Sequence, residues 1–269
     1  MSSKIDVQGK VAVVTGASSG IGLEFSRRLA ERGCDIVMIS NVEEDLQRES
    51  KALSEQYRIK TYILHLDLTQ PDVVERIDEF MQRERLEAYL LINNAGIFSF
   101  LPVTDTPQGK IECFVDLHVR AVTLLSRFFG DKMKQRGEGY ILNMSSMSCW
   151  MPMPGIAMYS ATKAYIRVFT RALHYELRDS GVRVMVACPG GIATTLFGLP
   201  ENLKRFAVGI GVLATPEGFT RKAVVRLLKG RKQYINGLLN RFSIFFIATL
   251  PTWARMLVKR KLLDRGITR

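Results

Sequence analysis

Tyr159 and Lys163 stand four residues apart at the end of a stretch, 145–163, whose side chains could act together on one substrate oxygen. Tyr165, Ile166, Val168, Phe169 and Leu173 follow at helical spacing, so the phenol and the ammonium fall one above the other on one helix face. An ammonium beside a phenol favours the phenolate, and the pairing is expected to bring the Tyr159 pKa down towards the working pH. A phenol tuned in this way can give a proton to a substrate oxygen or take one from it. Ser146 lies thirteen residues before Tyr159, at the end of an apolar run over 140–144 that reads as a strand. A hydroxyl there can hold the same oxygen. Tyr-x-x-x-Lys spacing is common on ordinary helix surfaces, so its weight depends on the elements around it.

Those elements alternate. The run VAVVT at 11–15 is a buried-strand pattern and is followed by Gly16, Ser18, Ser19, Gly20, Ile21 and Gly22, then by an amphipathic stretch over 23–32. Strand, glycine-rich turn and helix in that order make a phosphate cradle: the glycines admit a pyrophosphate and the helix amino end supplies donors. Further strands are expected at 35–40, 61–66, 89–92, 140–144, 182–187 and 233–235. Helices are expected at 43–56, from about 71, at 110–136, from 159 to about 180 and at 216–228. The pattern predicts an α/β fold, a doubly wound parallel sheet of about seven strands with helices on both faces. Residues 196–214 read as a loop or lid over the substrate.

The chain of 269 residues is long enough for one large α/β domain, and its 47% hydrophobic and 24% charged content is ordinary for a globular protein. Cys34, Cys113, Cys149 and Cys188 show no paired spacing, so each reads as a buried, reduced thiol rather than a zinc ligand. Residues 1–10 carry no apolar core of a secretory signal. The net charge of +12 is uneven: residues 221–269 hold thirteen Lys or Arg and one acid, Asp264, while the bases and acids of 1–220 cancel. Such a segment suits an anionic surface on an otherwise neutral body.

Five separated motifs occur in order: TGASSGIG at 15–22, DL at 67–68, NNAG at 93–96, Ser146 with YSATK at 159–163, and PGGIAT at 189–194. On these the chain resembles the short-chain dehydrogenases/reductases over 8–236. The resemblance implies a Rossmann fold carrying NAD(H) or NADP(H). It also implies that Tyr159 is the acid/base, that Lys163 lowers its pKa and binds the nicotinamide ribose, and that Ser146 polarises the carbonyl. By the same likeness Gly16, Ser18, Ser19, Gly20, Ile21 and Gly22 meet the pyrophosphate and ribose, and Asp67 and Leu68 the adenine. Asn94, Ala95 and Gly96 would hold the cofactor's middle, and Pro189, Gly190, Ile192 and Thr194 its carboxamide end. Where the family usually has an Asn whose main-chain carbonyl holds a relay water, this chain has His118, either a catalytic part or a residue packed at a helix kink.

Cofactor choice turns on the end of the second strand. NAD-preferring relatives usually carry an acid there, whereas this chain has Ser40 and then Asn41, which repel no 2′-phosphate. The expectation is NADP(H), with NAD(H) as the alternative. The leading function is interconversion of a ketone and a secondary alcohol on a hydrophobic, lipid- or steroid-like molecule. A non-catalytic cofactor-binding scaffold is the rival, weakened because Ser146, Tyr159 and Lys163 are all kept. The expected organisation is a catalytic domain over 1–240 and a basic, apolar extension over 241–269. That extension is too short to span a bilayer but is suited to lie on an anionic membrane surface. A cytoplasmic homo-oligomer, dimer or tetramer, is expected, with peripheral membrane attachment open. Nucleic acid is not an expected partner, because the body is neutral and the basic tail is interleaved with Phe, Ile, Leu and Trp.

Overall fold

The computed structural model describes residues 6–192 and 213–263. Seven parallel strands form one sheet in the order β3-β2-β1-β4-β5-β6-β7. They are β1 Val11–Thr15, β2 Asp35–Ser40, β3 Thr61–His65, β4 Ala88–Asn93, β5 Gly139–Met144, β6 Val182–Ala187 and β7 Gln233–Tyr234. Strands β4 and β5 are buried along their whole length, which explains their near-continuous apolar sequences. The order reverses between β1 and β4, and a crevice opens at their carboxyl ends, where ligands bind in such sheets.

The helices are α1 Gly20–Ala30, α2 Glu43–Tyr57, α3 Val73–Arg83, α4 Gln108–Val115, α5 Val122–Arg136, α6 Ala157–Glu176, α7 Pro216–Leu228, α8 Leu238–Ala248 and α9 Thr252–Val258. One core layer holds Phe25 and Leu29 of α1 with Phe219, Val224 and Leu227 of α7; the other holds Leu125, Phe129 and Met133 of α5 against β4 and β5. Phe219 meets Phe25 edge-on at 6.3 Å and stacks on Tyr234 at 5.2 Å, which ties α7 to both α1 and the last strand. Such ring pairs add about 0.5–1.5 kcal/mol beyond their buried area.

Two differences from the sequence expectations have local causes. The helix expected over 110–136 is interrupted by a π-helical turn, Asp116–Ala121, which turns His118 into the interior. The helix of the Tyr159 face stops at Glu176 rather than about 180, and a 3-10 turn, Arg178–Ser180, leads to Gly181 at φ +79°. A Cβ at Gly181 would fall 1.8 Å from the Gly137 carbonyl oxygen, so only glycine lets the chain enter β6 there. Most of the expected lid, and Thr194 with it, lie outside the described residues.

The carboxyl-terminal helices pack on the body. α8 lies against the turn Met147–Trp150, and a Cβ at Gly155 would meet Phe100 at 2.9 Å and Leu263 at 3.1 Å. No single helix among the described residues is long and apolar enough to cross a membrane; Asn240–Ala248 and Thr252–Lys261 reach that length and composition only as a pair bent by 98°.

The glycine-rich turn depends on two different properties of glycine. A Cβ at Gly22 would sit 2.0 Å from the Gly16 carbonyl oxygen, whereas Gly20 has open space and a φ of +54°. Gly22→Ala is therefore expected to lower stability by about 1–3 kcal/mol through overpacking. Gly20→Ala is expected to cost only the left-handed backbone, about 1–2 kcal/mol. Urea unfolding reads both, together with cofactor binding: loss of binding is expected for Gly22→Ala, and an unchanged midpoint there would contradict the close-packed turn.

Candidate active site

The carboxyl ends of the central strands open into a cavity of about 400 Å³. The sequence-derived residues Gly16, Ser18, Ser19, Gly20, Ile21, Ser40, Asn41, Asp67, Leu68, Asn94, Ala95, Gly96, Ser146, Tyr159, Lys163, Pro189, Gly190 and Ile192 all line it. Gly22 and His118 stand behind the wall. Sequence reasoning did not single out Val42, Thr69, Ile97, Cys113, Leu117, Met144 and Ser145, which line it too. Most of these flank a motif residue, and that adjacency was the available signal.

Thr15 clamps the floor. Its hydroxyl accepts from the Asn94 and Ala95 backbone N–H groups at 2.9 and 3.1 Å, while the Asn94 amide donates to the Thr15 carbonyl at 3.1 Å. The glycine turn and the NNAG segment are thereby held as one unit. A second clamp lies beneath: the buried Asn93 amide donates to Asn143 Oδ1 at 2.9 Å, and the Asn143 amide donates to Thr170 Oγ1 at 3.0 Å. These bonds join β4, β5 and α6 in the interior, where a low dielectric strengthens each of them, although Asn93 Oδ1 itself has no partner there.

The fit to a dinucleotide can be read from the cradle. Ser19 precedes α1 but makes no side-chain cap bond, and the first turn carries no acid, so the helix amino end is open to an anion. A Cβ at Gly16, where φ is +63°, would approach Ala95 Cα and the Asn94 amide nitrogen at 3.0 Å, so backbone rather than side chains shapes the floor. Ser18 and Ser40 hydroxyls share a hydrogen bond of 2.8 Å at the end of β2, and Ser40 Oγ accepts from the Val42 N–H at 3.3 Å. The only acid on the cavity wall is Asp67 and the only cation is Lys163, among the described residues.

Tyr159, Lys163 and Ser146 come together as the spacing implies. Tyr159 is 6% exposed, Ser146 stands near enough to its hydroxyl to pull its pKa down, and Phe98 meets its ring edge-on at 5.0 Å. The Lys163 ammonium lies 5.7 Å from the Tyr159 ring centroid and donates to the Met144 carbonyl at 3.0 Å. One turn of chain is fixed further by the Ser145 hydroxyl, which donates to the Lys163 carbonyl at 2.7 Å. Ser146 Oγ also accepts from the Ser148 N–H at 3.1 Å, which starts the turn Met147–Trp150.

The electrostatics differ from the sequence expectation. Burial, the largest influence, raises the Tyr159 pKa above its ordinary value, against the lowering effect of Ser146. Lys163, in the same dry setting, is brought down to about 8 by burial. Desolvation dominates at both groups, so in the protein alone Tyr159 is a phenol and not a phenolate at neutral pH.

His118 is fully buried and both ring nitrogens are engaged. Nε2 accepts from the Ile97 N–H at 3.1 Å, so the proton sits on Nδ1, which faces the Thr162 hydroxyl at 3.0 Å. Burial and then the Lys163 charge hold its pKa well below the usual imidazole value, and it is neutral. A Cβ at Gly96 would meet His118 Nε2 at 2.9 Å and Lys163 Nζ at 3.4 Å, so this glycine lets both side chains close on the NNAG segment. The geometry makes His118 a strut between that segment and α6, packed at the π turn, rather than an acid or base facing the cavity.

The four cysteines are free thiols, but only Cys34 and Cys188 are buried; Cys113 and Cys149 are partly exposed. Cys149 and Cys188 are neighbours, and the influence of Cys188 holds the Cys149 thiol below its usual pKa.

Comparison with known proteins agrees with this geometry. A family model described as short chain dehydrogenase matches residues 10–201. The very-long-chain 3-oxoacyl-CoA reductase of Macaca fascicularis is 31% identical over 252 residues, covering 91% of this chain and 77% of that protein. A solved 7β-hydroxysteroid dehydrogenase superimposes with a TM-score of 0.83 at 27% identity, covering 94% of this chain and 96% of its own. A short-chain dehydrogenase from Sphingobium yanoikuyae in complex with NADPH gives 0.77 at 26% identity, covering 94% and 96%. With its open cradle, its Tyr159–Lys163–Ser146 cluster and this family match, the chain belongs to the short-chain dehydrogenases and is an NAD(P)-dependent oxidoreductase.

Proposed function

We propose that the protein reduces a ketone on a hydrophobic, lipid- or steroid-like molecule to a secondary alcohol with NADPH. The observation that carries this reading is the convergence of Ser146, Tyr159 and Lys163 on one cavity wall, with the Lys163 ammonium 5.7 Å from the Tyr159 ring centroid. When bound, the nicotinamide cofactor supplies a hydride to the carbon that bears the substrate oxygen. The chain supplies the rest. Ser146 Oγ and Tyr159 Oη hold the oxygen, and as negative charge gathers there the phenol proton passes to it. The phenolate left behind is stabilised by the Lys163 ammonium, itself anchored on the Met144 carbonyl. A phenol kept protonated by burial is ready to donate, which favours the reductive direction.

The hydrophobic substrate class is supported by Phe98, whose ring meets Tyr159 edge-on, and by the partly buried apolar residues Met151, Met153, Ile156 and Met158 that precede Tyr159 in sequence. Relatives named as 3-oxoacyl-CoA and hydroxysteroid enzymes point the same way. NADP(H) is supported by Ser40 and Asn41 in place of an acid and by neighbours solved with NADPH. Peripheral contact of 241–269 with an anionic membrane belongs to the same reading. Phe242, Phe245, Phe246 and Trp253 are 69%, 69%, 67% and 72% exposed although α8 packs beside the Met147–Trp150 turn. Assay of long-chain 3-oxo thioesters, ketosteroids and small ketones with NADPH and NADH tests the assignment; turnover confined to small polar ketones would contradict the substrate class.

Tyr159→Phe is expected to lower turnover on the substrate so found by about 10²–10⁴-fold while cofactor affinity is kept. More than half the activity surviving would contradict the role of the phenol.

The Lys163 pKa of about 8 sets the pH dependence. The ammonium is present below that value and lost as pH rises through it, so kcat/KM for reduction should fall on the alkaline side of about 8. A flat profile through that range would show that the Lys163 charge is not used.

Ser40→Asp is expected to shift preference towards NAD(H), since a carboxylate accepts from a ribose 2′-hydroxyl and repels a 2′-phosphate. Asn41→Arg should tighten NADP(H) by about 1.5–3 kcal/mol through a charge-assisted bond. Titration of both variants with both cofactors checks this, and equal affinities throughout would remove the strand end from the choice.

A further inference from the structure

One face outside the cofactor cavity is built almost wholly of cations. α7 turns Phe219, Ala223, Val224 and Leu227 inward and presents Arg221, Lys222 and Arg226 on the opposite face, with Lys229 just past its end. Arg231 and Lys232, at the turn into the edge strand β7, and Arg241 of α8 complete the lining of one concavity of about 850 Å³. Its remaining lining residues are Val225 and Gln233, so no acid faces it among the described residues. None of the seven cations forms an ion pair among the described residues, although thirteen such pairs occur elsewhere in the fold. Arg226 lies over the Tyr234 ring at 4.6 Å and Lys232 donates to the Tyr175 hydroxyl at 2.9 Å, so two of the cations are held in place by aromatic neighbours.

We propose that this concavity binds the phosphate headgroups of an anionic lipid surface, with the exposed aromatic side of α8 entering the adjacent acyl region. The proposal rests on the peripheral-membrane reading of 241–269 and adds a headgroup site outside that segment. Continuity carries it: Arg241 belongs to the concavity, and Phe242, Phe245 and Phe246 follow it on the same helix. Cations beside a solvent-facing aromatic cluster match a phosphate layer above hydrocarbon. A second copy of the chain is the poorer occupant, because a symmetric pairing on this face would set like charges against one another. The same segment reaches the active site. Asn240 donates to the Asn236 carbonyl at 2.8 Å, and Asn236 Oδ1 accepts from the N–H of Gly190 on the cavity wall at 2.7 Å. A lipid surface docked here therefore lies beside the residues that hold Gly190 on the cavity wall.

The test is flotation of the full chain with phosphatidylcholine vesicles, with and without phosphatidylglycerol. Lys222, Lys229 and Arg231 are exposed, and their combined change to Gln (K222Q/K229Q/R231Q) should weaken binding to the anionic vesicles by about 10²-fold, roughly fivefold per cation. Turnover of a soluble ketone and the unfolding midpoint should be unchanged. A control removing three cations elsewhere, K51Q/K60Q/K110Q, should have a much smaller effect; an equal loss would reduce the effect to net charge and overturn the site. Phe242, Phe245 and Phe246 changed to Ser should abolish binding to both vesicle types. If those aromatic changes do so while the concavity variant keeps its full preference for phosphatidylglycerol, the tail reading stands and the headgroup site falls. If inorganic tripolyphosphate binds the wild-type chain and not the concavity variant, and vesicle binding is the same for both, the occupant is a soluble polyphosphate and the lipid assignment is overturned.

Discussion

The site depends on the cost of keeping an ammonium out of water. Lys163 is 5% exposed, and its protein hydrogen bond is to the carbonyl of Met144 at the end of β5. A buried cation held this weakly is easily neutralised, and the surroundings accordingly bring it down to about 8. The rest of the arrangement makes that position tenable. Ser145 fixes the α6 backbone at Lys163, Gly96 leaves room for its side chain beside His118, and the π turn delivers His118 to the Ile97 N–H and Thr162. Tyr159 inherits the same dry environment, which keeps it a phenol until charge develops on a substrate oxygen.

Much of this was legible in the sequence because the relevant signals are local. Val11–Thr15 and Val182–Ala187 announce themselves as strands by β-branched runs, and the glycine-rich turn stands between a strand and a helix as a phosphate cradle requires. The motif residues of the cavity were likewise readable, since all but Tyr159 and Lys163, which lie on α6, sit at or just after a strand end. The direction of the Tyr159 shift was not readable. Spacing shows that an ammonium is near a phenol, but only the packed structure shows how little solvent either retains. The role of His118 was hidden for a similar reason: a π turn depends on how α4 and α5 pack, not on a residue pattern, and it decides which way the imidazole faces. The clamps made by Thr15 and Asn143 join residues distant in sequence, so no spacing rule could expose them.

The distribution of charge separates two jobs within one chain. The cofactor cavity needs few fixed charges, because helix α1 and backbone N–H groups can meet a pyrophosphate there. The excess cations are instead collected after residue 220, where they have almost no acids to neutralise them. The two regions meet through Asn236 and Asn240, beside Gly190 on the cavity wall. An enzyme for a poorly soluble ketone would gain from that adjacency, since the surface that stores the substrate and the site that reduces it are then neighbours.

The measurement closest to the central claim is the titration of Tyr159 itself, followed by NMR of ring-labelled tyrosine and assigned with Tyr159→Phe. The account predicts a midpoint above the ordinary tyrosine value of about 10 in the protein alone, raised by burial, and a change in that midpoint when NADPH fills the cavity. A Tyr159 that titrates as an exposed phenol and is indifferent to NADPH would contradict the account.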